Sequence, residues 1–317
     1  MNKKIVMGID TSNYTTSVSL LTLDGELLAN IKEPLPVKPG ERGLRQSDAV
    51  FAHIKNMPLV MKKAKNIISG NGTVVAIGAS EKPRNVEGSY MPCFLCGVAA
   101  RDSAIASGIP YGYGFSHQCG HIMAVLFGAG KTELLSEKFV AFHISGGTTE
   151  MLSVKGNGSS FKANLIGGTE DLNAGQVIDR VGVYMGIKFP CGKEMEELAL
   201  KNTKKIPSKK PKISDYSFNL SGLENMAIKL YEETADKLLT SAFVFDFIAS
   251  SLIAVCDNYE KQYGKTKFVF AGGVMSNTVI KNKILEKFDA VFADPSLSSD
   301  NAVGIAALTA KAYLTEI

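Results

Sequence analysis

The stretch "FSHQCGHIMA", residues 115–124, sets His117 and His121 four apart, with apolar side chains running on behind them. On a helix, positions i and i+4 lie one above the other, so both imidazoles can reach a single cation, and HExxH proteases use this spacing for zinc. Here Gln118 stands where such a protease carries the glutamate that serves as general base, and the protease reading loses its chemistry. The pair by itself leaves two alternatives open: a metal site whose third ligand is elsewhere, or two rings that share a helix face.

Three further loops have the composition of anion nests. Asp10, Thr11 and Ser12 open a turn of small polar residues that runs to Thr16, Ser145 to Thr149 form a second, and Gly272 and Gly273 precede a helix expected to start near Asn277. Glycine and hydroxyl residues after a buried strand let backbone N–H groups approach a phosphate closely. Any one of them would equally serve as a tight turn that needs positive φ. Three in one chain suit a two-lobed fold that grips a nucleotide.

The elements that must position these groups follow from hydropathy and turn residues. "KKIVMGID" reads as a buried strand, and "TTSVSLLTLDGELLAN" as its hairpin partner with an Asp24-Gly25 turn. The same grammar returns in "KFVAFHISGGTTEMLSVKG": strand, polar turn with glycines, strand. Laying "VMGIDTSNYTTSVSL" over "AFHISGGTTEMLSV" aligns the turns and the pairs Thr15-Thr16 and Thr148-Thr149, which points to an internal duplication. Between the copies lie a strand ("TVVAIGAS"), a helix ended by Gly108, and a strand leading into the histidines. After the second copy come a helix closing at Gly186, two or three helices from Ser217 to Gly264, the strand "KFVFA" with its glycine pair and helix, the strand "AVFADP", and a last small-residue helix. Strands alternating with helices define an α/β fold in two lobes.

Composition is that of an ordinary globular protein: 317 residues, 45% hydrophobic, 21% charged, net charge +4. The mild positive balance permits nucleic-acid contact without demanding it. Five scattered cysteines do not make a disulfide scaffold, and neither a signal peptide nor a membrane span is expected, so a reduced cytoplasm is the expected location. Cys93 and Cys96 have redox-like spacing inside a helical pattern, where packing is the better reading. The segment "KNTKKIPSKKPKISDYSFNLSG" concentrates Lys201, Lys204, Lys205, Lys209, Lys210 and Lys212 near Tyr216 and Phe218, suiting either a solvated loop or a phosphate-tracking loop beside a stacking aromatic.

The ordered series "GIDTS", "HQCGH", "ISGGTTE", "GGTEDLNAGQVIDRVG", "FPCGKEME", "SFNLSGL", "AGGVMSN" and "SDNAVGIAAL" resembles the TsaD/Gcp family, once described as O-sialoglycoprotein endopeptidases, from Gly8 to about Leu308. The resemblance implies an actin-like ATPase (ASKHA, RNase H-like) duplicated fold, with lobes over 1–125 and 126–299 and a C-terminal helix, 300–317, returning to the first lobe. It implies transfer of a threonylcarbamoyl group from its adenylate to adenosine 37 of tRNA, one divalent metal (iron or zinc) in the interlobe cleft, ATP or an acyl-adenylate as ligand, and partner proteins of that pathway. Carried over residue by residue, it makes His117, His121 and Asp300 the metal ligands, an open-sided set on which substrate oxygens could bind. Asp300 would equally suit the N-cap of the final helix. It places Ile144, Ser145, Gly146, Gly147 and Thr148 at the phosphate and Asp179, Gly192 and Asn277 around the nucleoside, with Glu196 a weaker candidate for the sugar. It leaves no residue as a clear general base.

This chain also departs from the family pattern. It reads "DTSNYTT" where members read "ETSCDET", so Tyr14 and Thr15 replace an acidic pair; Thr148 replaces a histidine; and the glycine-proline loop of the first lobe has become "SEKPRNVEGSY". These changes imply a diverged paralogue. The alternative to the transferase is a non-catalytic nucleotide-binding scaffold or regulator; a sugar or acetate kinase of the same superfold would not need the histidine pair.

Overall fold

The structure, a computed structural model, describes residues 2–12, 14–36, 44–157, 160–297 and 301–317. The chain divides into two compact units: Met1–Glu137 with Lys155–Ala163 and Ser299–Ile317, and Lys138–Val154 with Asn164–Ser298.

Unit 1 begins with the meander β1 (Lys3–Asp10), β2 (Thr15–Thr22) and β3 (Leu27–Pro34), continues through α1 (Gln46–Asn71), β4 (Gly72–Lys82), α2 (Leu95–Ala106), β5 (Tyr111–Ser116) and α3 (His117–Gly128), and its sheet has the order β3-β2-β1-β4-β5. Side chains alternate across a strand. On one face of β1, Ile5, Met7 and Ile9 pack with Val18, Leu20, Ile77 and Ala79 against Val60 and Ala64 of α1. On the other face Gly8 lies under the last helix of the chain: a Cβ there would stand 2.4 Å from the Ala306 backbone nitrogen. Asp10 shares the parity of Gly8, so its carboxylate leaves the sheet on that second face.

The sequence patterns mark no element between residues 36 and 72, where the structure has α1, 26 residues long. The helix turns Phe51, Ile54 and Leu59 to solvent and carries Pro58 in its interior, so its apolar residues do not fall on one stripe and its breaker signal is misleading.

Unit 2 is built from β6 (Lys138–Ile144), β7 (Thr149–Gly156), β8 (Phe161–Thr169), α4 (Ala174–Tyr184), α5 (Gly192–Leu200), the short β9 (Ile213–Ser214) and β10 (Ser217–Phe218), α6 (Ser221–Thr234), α7 (Lys237–Tyr263), β11 (Phe268–Ala271), α8 (Thr278–Leu285) and β12 (Ala290–Phe292); α9 (Val303–Glu316) then belongs to unit 1. The second sheet has the order β12-β11-β6-β7-β8-β10-β9. Read outward from β1 and from β6, the two sheets match: a hairpin-linked meander on one side, and two parallel strands reached by crossovers on the other. The duplication suspected from two turns therefore extends over five strands of each unit.

Phe142, Phe270 and Phe292 face one another across β6, β11 and β12, their rings stacked at 4.7 and 4.8 Å between centroids, and they tie the parallel strands together. The helix α7 is apolar and long enough to cross a membrane, but most of it is buried in the unit 2 core, with Phe243, Val244, Ile248 and Leu252 among its packed residues.

Candidate functional site

In unit 1, β5 runs directly into α3. Ser116 marks the boundary: its backbone is extended and its hydroxyl accepts a hydrogen bond from the Cys119 amide at 3.2 Å, satisfying one of the free N–H groups of the first turn. This cap makes His117 the first helical residue and puts His121 one turn on. Their Nε2 atoms are 3.0 Å apart and their rings meet edge to face. Two nitrogens each about 2.1 Å from one ion would be about 3.0 Å apart at a right angle and about 3.4 Å at the tetrahedral angle, so the pair already has the separation a shared metal needs. A hydrogen bond between the two rings spans the same distance, and ion and proton are alternatives at that place.

What decides the chemistry of His117 is its other nitrogen. Nδ1 lies 2.7 Å from Oδ2 of Asp10, whose second oxygen accepts from the Ser12 amide at 2.8 Å. Asp10 is 1% exposed. A buried carboxylate needs a donor, so Nδ1 carries the hydrogen and Nε2 is left with its lone pair toward His121. This is the outer-shell carboxylate that orients a metal-binding histidine and raises its basicity. The sequence singles out Asp10 as part of a phosphate loop; the structure gives its side chain to His117 instead. Thr11 is likewise engaged, donating to the Cys93 carbonyl (2.9 Å) and accepting from the Gly97 amide (3.2 Å). Ser12 Oγ is buried and has no hydrogen-bond partner among the described residues.

Asp300 lies outside the described residues, and among those that are described no set of three metal-ligating side chains comes together. Just before α9, Asn301 Oδ1 accepts from the Val303 amide at 2.9 Å, while the N-cap itself is Ala302. Cys93 is fully buried and burial pushes its thiol up to about 12; burial raises Cys96 as well, so the two are packing groups rather than reactive thiols.

Behind the β1–β2 turn sits a residue that sequence patterning did not mark. His53 of α1 is fully buried, with Nδ1 2.8 Å from Thr16 Oγ1 and Nε2 without a partner among the described residues. Burial pushes it down to about 4 against the pull of the Asp10 charge, so it is neutral at physiological pH. A histidine within a helix of weak amphipathic pattern gives no local sign of such a role.

In unit 2 the predicted nucleotide residues form a connected set. Ser145 donates through its amide to the Thr148 carbonyl (2.8 Å) and closes the β6–β7 hairpin, while the space over Gly146 and Gly147 is open. The first turn of α4 is pressed onto this hairpin: a Cβ on Gly175 would stand 2.7 Å from Gly146 Cα, and the Ala174 amide donates to Thr149 Oγ1 at 2.9 Å. One turn further along α4, Asp179 accepts from the Cys191 amide (2.8 Å) immediately before Gly192 and α5. Burial raises its pKa against that hydrogen bond. Glu196 of α5 reaches α8, where Oε1 accepts from the Thr278 amide (2.7 Å) and hydroxyl (2.6 Å), and Asn277 caps the same helix through Ile280 N (3.0 Å). Gly272 has φ of 97° and a Cβ on it would stand 2.3 Å from the Ile144 carbonyl oxygen, so glycine is required there by the backbone; Gly273 is open. Phe218 is 2% exposed and belongs to the core, so of the two aromatics near the lysine-rich segment only Tyr216 is at the surface.

Two sheets of one connectivity, each with a turn of small polar residues after its first strand, define an actin-like ATPase fold. The chain can be superimposed on the 2-hydroxyglutaryl-CoA dehydratase component A of Acidaminococcus fermentans with a TM-score of 0.58 at 18% identity, covering 98% of this chain and 99% of that one. Full-length HypF gives a TM-score of 0.61 at 12% identity over 99% of this chain and 47% of its own length. A sequence profile described as "TsaD: tRNA N6-adenosine threonylcarbamoyltransferase" matches residues 28–307, and the chain belongs to that family. Relatives bearing the same description include those of Streptococcus thermophilus, 30% identical over 98% of this chain and 92% of its own, and Thermus thermophilus, 28% identical over 95% and 90%.

Proposed function

We propose that this chain is a tRNA N6-adenosine threonylcarbamoyltransferase that takes the group from an acyl-adenylate. Membership of the family supports the reaction class. The observation that carries the reading to this chain's own residues is the His117–His121 pair at 3.0 Å, with Asp10 holding the His117 lone pair toward the shared position. The donor set fits a divalent iron or zinc ion, which His117 and His121 would hold, joined by Asp300 as the family pattern implies. When bound, such an ion supplies a Lewis acid with open positions for phosphate or carbamoyl oxygens.

The remaining work belongs to the protein. The Gly146 amide, at a turn with no side chain over its glycines, suits the adenylate phosphate, and the free oxygen of Asp179 suits a ribose hydroxyl. Catalysis on this reading is mostly positioning and charge stabilisation, because no side chain offers itself as general base. Tyr14 and Thr15 are the residues that favour a second reading, a nucleotide-binding scaffold without transfer, since Tyr14 is half exposed where the family carries acid. A cytoplasmic location goes with either.

The test is to incubate metal-loaded protein with threonylcarbamoyl-adenylate and unmodified tRNA and to look for the modified nucleoside. Modified tRNA is the expected result. Tight adenylate binding with no product would replace the transferase by the scaffold.

A further inference from the structure

The segment from Lys201 to Lys212 holds six lysines and no acidic residue. With those six set aside, the rest of the chain has 29 basic against 31 acidic side chains, so the positive charge of the whole molecule resides in this one stretch. Among the described residues only Lys204 is neutralised, by Asp236 at 2.8 Å. Lys201, Lys205, Lys209, Lys210 and Lys212 are exposed and make no ion pair among the described residues. Elsewhere on unit 2 several lysines are matched by carboxylates: Lys265 by Glu260, Lys267 by Asp289 and Lys283 by Asp246.

The stretch has no regular secondary structure, yet its backbone is held at several points. Asn202 bonds the Lys204 amide and carbonyl, Ile206 packs on the unit 2 core, Pro207 and Pro211 fix their own φ, and Ile213 enters β9 opposite Phe218. Anchored apolar residues and free ammonium groups thus alternate along one edge. The segment leads into a polar hollow of about 310 Å³ lined by Asp215, Tyr216, Asn258, Lys261 and Gln262, where Lys261 adds one more cation without an ion-pair partner among the described residues.

We propose that this edge binds the phosphate backbone of RNA. The inference rests on the reading of tRNA as acceptor and adds the surface that receives it. Lysine is a mobile point charge suited to sequence-independent phosphate contacts. Between Lys201 and Lys212 the one large apolar side chain, Ile206, packs on the unit 2 core, and Leu200 just before the segment is a single exposed apolar residue, less than the apolar face that holds a basic segment on a lipid surface. Each phosphate neutralised releases counterions, which makes affinity fall steeply with salt.

The experiment compares the full chain with the variant Lys205→Ala/Lys209→Ala/Lys210→Ala/Lys212→Ala, measuring tRNA binding by anisotropy between about 50 and 200 mM salt. The slope of log K against log[salt] is expected to become shallower by about 3, with affinity down at least about tenfold, while the matching Lys→Arg variant keeps the wild-type slope. An unchanged thermal unfolding midpoint shows that the fold is intact. A variant slope equal to wild type overturns the proposal, as does a loss confined to anionic vesicles or polyglutamate. If the slope falls but neither protein modifies tRNA, the transferase reading fails and the surface stands. If both modify tRNA with the same KM and slope, the surface fails and the reading stands.

Discussion

Nδ1 of His117 and Oδ2 of Asp10 are 107 positions apart in sequence and 2.7 Å apart in space, and their bond fixes which nitrogen faces His121. Asp10→Asn keeps the shape but removes the charge and lets an amide N–H compete for the same atom. Metal affinity, measured by competition with a chelator, should fall by about 10- to 100-fold, with secondary structure unchanged. His53 gives a prediction in pH. Its folded pKa of about 4 lies below the ordinary 6.5, so the unfolded chain takes up a proton first as pH falls. Stability from this group is complete above about 6.5 and declines down to about 4, by roughly 2 kcal/mol between pH 6.5 and 5. Urea unfolding of His53→Gln should show a pH dependence shallower than wild type by that amount. The i, i+4 spacing made the histidine pair legible in sequence. Asp10's share in it was not, because it depends on strand parity and on which helix covers that face.

At the scale of elements, α9 lies against β1, β4 and α3 through positions where a side chain would not fit. A Cβ on Gly304 would sit 1.8 Å from the Gly120 carbonyl, and Gly120 stands one residue before His121. Gly304→Ala must therefore push α9 and α3 apart. A cost of about 1–3 kcal/mol is expected in denaturant unfolding, accompanied by weaker metal binding, because the displaced helix carries both imidazoles. The small-residue run "NAVGIAAL" announced a closely packed helix, and the strand ends were legible from Asp24-Gly25, the Ser145 turn and the Gly272-Gly273 pair. The helix α1 was hidden because Pro58 and three outward apolar residues mask its period, and α5 because its nine residues span too few turns for one.

On the scale of the whole molecule, two aligned turns were a small sign of a repeat that includes ten strands, five in each unit. Topology outlasts sequence here, since the meander and the parallel pair need only buried strands and short turns, which many side chains satisfy. The charge is distributed more narrowly than the fold, and a net value of +4 conceals one strongly basic edge on an otherwise slightly acidic molecule.

The place of α9 in the chain order has a consequence for how the protein is made. The strands β1, β2 and β4 leave the ribosome early, but the helix that covers Gly8 and Gly78 is translated after all of unit 2. During synthesis one side of the nascent first sheet stays bare while the second unit can already close on its own core, and the imidazole pair acquires its rigid backing only when the last helix docks.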